Sequence, residues 1–176
     1  MMTDKGEHPS APEIEQAGED LFNYAIDRAD VKWLLARLPD GEETNTGMVE
    51  YELQILKIIS VGWSLSFHLE SSTCKAPLLE CFWKTVYDFS QTLSNTTGMM
   101  IGHDIDYFQI LRDRLDLYVE ALGRNRKASD PAHVIGPEFA EVCGDRSNLF
   151  LAHTGSKLFL SAVTRVKTYL AAIRFV

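Results

Sequence analysis

"SVGWSLSFHL", residues 60–69, can be read two ways, and the choice decides the fold. Val61, Trp63, Leu65, Phe67 and Leu69 alternate with small or polar residues, the two-residue period of a β-strand. A strand standing alone leaves its backbone N–H and C=O groups unpaired, and no other stretch of this chain offers it a convincing partner. The same ten residues read as helix place Ser60 with Ser64, and Gly62 with Ser66, in two small ridges one turn apart. A second helix can approach closely along such ridges, and Trp63 and Phe67 then stack on a neighbouring face. The segment is therefore expected to be helical and the fold all-α.

The flanking sequence supports that expectation. From Pro12, residues Ile14, Ala17, Leu21, Ala25 and Ile26 fall on one helical face. Asp30 is the expected cap of a continuation through Val31, Leu34, Leu35 and Leu38, which ends in "LPDGEETNTG", residues 38–47. A helix opening near Asn45 or Thr46 carries Val49, Leu53, Leu56 and Ile59 into the segment quoted above. Beyond "SSTCKAP" a third apolar stripe runs through Leu78, Leu79, Phe82, Val86, Phe89 and Leu93, with "SNTTG", residues 94–98, as its expected stop. Asp106 is the expected N-cap of the next helix, with Gln109 three residues on, Ile105 and Ile110 as a hydrophobic staple, and Gly123 as its end. Residues 124–137 read as a loop, followed by a short helix from Pro137 to Cys143. Two segments, 146–153 and 156–175, close the chain. The second has a wide apolar face, which predicts a central place in the bundle. The expected architecture is a single all-α bundle of five to seven helices over residues 12–176, without a sheet, behind a mobile acidic tail at residues 1–11.

Composition narrows the function classes. The chain has 176 residues, 45% of them hydrophobic and 24% charged, as in an ordinary globular domain with a full core. Its net charge of −8 repels nucleic-acid phosphate, so DNA is not an expected partner. Five basic residues and no acid lie in residues 146–176, the pattern of a basic helix set against acidic neighbours. "MMTDKGEHPSAP" lacks the apolar core of a secretory signal, and no run reaches the ~18 apolar residues of a membrane span. With three cysteines and no C-x-x-C, the expected location is the reducing cytoplasm, away from membranes.

Motif chemistry excludes more. No glutamate has a histidine three residues later, and no histidine has a His, Asp or Glu four later, so neither the di-iron bundle pattern nor the zincin helix is present. His103, Asp104 and Asp106 cluster, but Asp106 is already assigned to a cap. No phosphate-binding glycine loop and no G-x-S-x-G elbow occur. The three cysteines sit among apolar residues, where a thiol has no group to activate it. "GRNRK", residues 123–127, reads as a solvated loop after a helix end. No metal or cofactor is expected.

One stretch retains catalytic chemistry. In "DRSNLFLAHTGSK", residues 145–157, Asp145 can cap a helix that Gly155 ends, with His153 in its last turn. Arg146 and His153 then share a face two turns apart. An arginine there neutralises a phosphodiester, and a histidine moves the 2′-hydroxyl proton or protonates the leaving oxygen. At Arg146, His153, Gly155 and Lys157 the chain resembles the HEPN family of small helical bundles, whose hallmark is an arginine, four to six intervening residues and a histidine. The resemblance implies a metal-independent ribonuclease or toxin that acts as a dimer, with Arg146 and His153 at the interface. The residues otherwise describe a non-enzymatic bundle that binds a protein or a small apolar ligand and self-associates as a homodimer. RNA is a partner only under the HEPN reading.

Overall fold

The computed structural model describes residues 9–39 and 45–175. Most of the expected acidic tail, residues 1–8, lies outside the described residues. Seven helices and no strand occur among those described: α1 (Ala11–Ile26), α2 (Ala29–Leu35), α3 (Thr46–His68), α4 (Lys75–Ile101), α5 (Tyr107–Arg124), α6 (Ala132–Val142) and α7 (Leu149–Ala172). The chain is an all-α bundle.

Residues 60–69 are helical as far as His68, and their burial explains the alternating pattern. α3 packs against each of the six other helices, and every residue from Ile55 to Gly62 is buried. A helix enclosed on all sides needs no polar face, so its sequence carries no clear helical period. This corrects the expectation for the C-terminal helix. α7 buries Leu158, Phe159, Ala162, Val166 and Leu170, but it flanks α3, and α3 holds the centre.

The close approach at Gly62 is as expected, whereas Phe67 is exposed and stacks on Trp63 of its own helix rather than on a neighbouring face. A side chain at Gly62 would run into the Trp83 ring of α4, so glycine there sets the α3–α4 spacing. Trp63 stacks on Phe67 at 5.0 Å and meets Phe159 of α7 at 5.2 Å. Gly62→Leu is therefore expected to cost about 1–3 kcal/mol by wedging the pair apart. A thermal melt followed by circular dichroism checks this, and an unchanged midpoint would rule the close approach out.

Helix starts follow local chemistry. Ser10 precedes α1, and the Glu13 carboxylate accepts from both its N–H and its hydroxyl at 2.7 Å. Asn45 caps α3 by accepting from Met48 N at 3.1 Å, and Asp106 caps α5 by accepting from Gln109 N at 2.9 Å. At α2 the N-cap position is Arg28, which makes no side-chain cap bond; Asp27 just before it accepts from Ala29 N, while Asp30 lies inside the first turn and pairs with Lys57.

The expected stops fare differently. α4 runs through residues 94–98 and ends at Gly102, whose φ of 68° is left-handed. Ser94 and Thr96 donate to the carbonyls of Ser90 and Thr92 at 2.8 Å, so their hydroxyls are satisfied inside the helix. α5 likewise passes through Gly123 and ends at Asn125. α6 begins at Ala132, ahead of the expected start, with Pro137 inside it. The carbonyl one turn before Pro137 belongs to His133, which is exposed, so water can take the bond that proline cannot supply. Residues 146–153 and 156–175 belong largely to one helix, α7, which runs unbroken through Gly155.

Candidate functional site

Gly155 lacks a side chain because of packing. A Cβ there would lie 2.7 Å from Phe139, so it lets α6 and α7 pack closely and does not stop a helix. The cap of α7 is Asn148, which accepts from the N–H groups of Phe150 and Leu151, while Asp145 caps only a turn at Ser147. Arg146 thus precedes α7 and does not share a helical face with His153. Its Nη2 lies 2.9 Å from Glu138 Oε1 on α6, and that hydrogen bond and charge raise its pKa further. His153 is exposed near the start of α7. Lys157 lines a separate cleft between α2 and α7, with Asp30 and Trp33.

A larger cavity of about 630 Å³ opens where α1 ends, α3 and α5 begin, and the second half of α4 passes. Neither Arg146 nor His153 lines it. Ile26, Phe89, Leu93, Ile105 and Ile110 make its walls apolar, and Tyr51 and Tyr107 add an edge-to-face pair 6.0 Å apart. Burial pushes the Tyr107 hydroxyl far above its usual range, and Tyr51 moves the same way, so both stay neutral. At the rim Arg28 of the α1–α2 turn is ion-paired with Glu50 of α3.

Two polar ties hold this corner in shape. Lys57, wholly buried on α3, donates to the Asp27 carbonyl at 2.7 Å and lies 3.2 Å from Asp30 and 4.3 Å from the centre of the Tyr24 ring. Burial, then the Asp30 charge, pushes the Tyr24 hydroxyl up to about 12. This tie fixes the α1–α2 elbow that carries Arg28. The second tie is Gln54, whose Nε2 donates to the Ala25 carbonyl at 2.7 Å. Ala25 belongs to the last turn of α1, where carbonyls have no partner within the helix. The other end of the Gln54 amide, Oε1, is buried and has no hydrogen-bond partner. Sequence reading missed Gln54 and Arg28. The one available signal is local: Gly47, Glu50, Tyr51 and Gln54 recur one turn apart at the start of α3, whereas the walls come from three other helices.

The remaining candidates are occupied structurally. Glu52, nearly buried, takes both arms of Arg114, at 2.9 and 2.8 Å. Burial pushes the Cys143 thiol up to about 12, and burial also raises Cys81, while Cys74 lies in the core. His68 ends α3 partly buried, with its pKa lowered by burial and by Lys167. Among the described residues no group of three His, Cys, Asp or Glu side chains is placed to hold a metal ion, and no helix is long and apolar enough to cross a membrane. No protein-family model, curated protein or solved structure matches the chain.

Proposed function

We propose that this protein is a non-enzymatic bundle that binds a small apolar ligand in the cavity between α1, α3, α4 and α5. The observation that carries the reading is the cavity itself. Its volume of about 630 Å³ falls within the ~300–1,000 Å³ of small-molecule sites. Like those sites, it has apolar and aromatic walls with a few polar groups. Its charged rim residues, Arg28 and Glu50, neutralise each other, so the interior favours uncharged guests. The ribonuclease reading needs Arg146 free to meet a phosphate, and the Glu138 carboxylate competes for that guanidinium.

Titration with 1-methylpyrene, followed by its fluorescence, tests the proposal. Saturable binding is expected in the wild type. Ligand at about a hundred times its Kd should add roughly 2.7 kcal/mol of stability. Leu93→Trp or Ile110→Trp, which fill the cavity, should abolish the binding. No saturable binding by the wild type, together with metal-independent RNA cleavage that His153→Ala removes, would establish the ribonuclease in its place.

A further inference from the structure

We infer that the cleft between α2 and α7 binds a free nucleoside monophosphate. This cleft shares no lining residue with the apolar cavity, so the inference stands apart from that reading. Its volume of about 500 Å³ also falls within the ~300–1,000 Å³ of small-molecule sites. Trp33 forms part of its wall and is 50% exposed. An open indole in a concave wall is a stacking surface for a planar ring. Arg37 holds that indole in place. Its guanidinium lies 3.4 Å from the ring centre, and its Nη1 donates to the Trp33 carbonyl at 2.9 Å.

The polar groups of the cleft match the rest of such a ligand. Asp30 lines it with its side chain 39% exposed. Its Oδ2 faces buried Lys57 at 3.2 Å and accepts from the Tyr24 hydroxyl at 3.4 Å. Its Oδ1 has no donor among the described residues and is not closed off from solvent, so it can accept from a sugar hydroxyl. Lys57 offsets the Asp30 charge, which would otherwise repel an anion. Lys157 lines the same cleft, is exposed, and makes no ion pair among the described residues. Arg165 of α7 stands 5.8 Å from the centre of the Tyr24 ring, beside Asp30, and has no carboxylate partner among them either. Residues 146–176 contain no acid to compete for these cations. Two cations suit the charge of about −2 on a phosphate monoester. The chain's net charge of −8 repels a polyanion, which favours a single nucleotide over a strand.

Isothermal titration calorimetry with adenosine 5′-monophosphate and with adenosine tests the inference. The wild type is expected to bind the nucleotide roughly tenfold more tightly than the nucleoside, which lacks the anion. Lys157→Gln should remove that preference and keep the adenosine affinity. Trp33→Ala should weaken both ligands roughly tenfold by removing the stacking surface. Leu93→Trp, which fills the apolar cavity, should leave both affinities unchanged. Trp33 and Lys157 are exposed, so their replacement spares the core, and a melt of each variant accompanies its titration. No saturable nucleotide binding by the wild type would overturn the inference, as would equal affinities for the two ligands. Nucleotide binding unchanged in both cleft variants, or lost in a folded Leu93→Trp, would overturn it too. If Trp33→Ala does not fold, Lys157→Gln and the wild-type pair of ligands still decide the question.

Discussion

Arg114→Met is expected to destabilise the protein by about 3 kcal/mol, the low end for breaking a buried ion pair. The Glu52 side chain is only 4% exposed, against 29% for Arg114, so the loss falls on the carboxylate left behind. It loses two charge-assisted hydrogen bonds at once, in a wall built by α3 and α5. Water can reach the arginine side of the pair, which keeps the cost below that of a fully enclosed one. For a chain of this size the melting midpoint should fall by roughly 6–12 °C. Replacing both residues, with Glu52→Leu added to Arg114→Met, should recover most of that loss, since no charge is then stranded. The comparison is made by thermal or urea unfolding of the two variants beside the wild type. A double variant as unstable as the single one would show that the cost comes from packing and not from the stranded charge.

Leu170→Ala should cost about 2–5 kcal/mol, the range for deleting a fully buried leucine. Leu170 has no exposed surface and belongs to the apolar face that α7 turns to the core. Its position near the end of the chain suggests that fraying could absorb the change. Two backbone hydrogen bonds argue otherwise. Phe175 N donates to the Leu170 carbonyl at 3.0 Å, and Ile173 N donates to Tyr169 at 3.1 Å. The buried Phe175 side chain closes the helix end onto the core. The end of α7 is therefore anchored, and the cavity left by the missing methyls cannot simply collapse. A melting midpoint equal to that of the wild type would place the end of α7 outside the cooperative unit.

Which features were legible depends on how far the deciding interaction reaches along the chain. Asp106 caps α5 as expected, and α3 opens at Thr46 as expected with Asn45 as its cap, because an N-cap bonds to a backbone N–H two or three residues away. The glycines misled for the opposite reason. Gly123 and Gly155 read as stops because glycine often ends a helix, yet α5 runs through the first. The second sits where Phe139, sixteen residues earlier, presses on its backbone. Gly102, which does end a helix, carries the left-handed φ that local reasoning assigns to such a stop. The expected shared helical face of Arg146 and His153 rested on Asp145 as the cap, and with Asn148 as the cap Arg146 precedes the helix that carries His153.

By itself the sequence determined the all-α class, the starts of α1, α3 and α5, and the need for a close helix approach at Gly62. These follow from backbone hydrogen bonding, capping and side-chain size, which act over a turn or two. Only the tertiary structure decided that α3 and not α7 is central, and that Arg146 is held by Glu138. It also decided that segments of four helices enclose a cavity. The physical reason is that a cavity belongs to no single segment. Its walls are the faces that separate helices fail to fill, and their shape is set by how those helices cross.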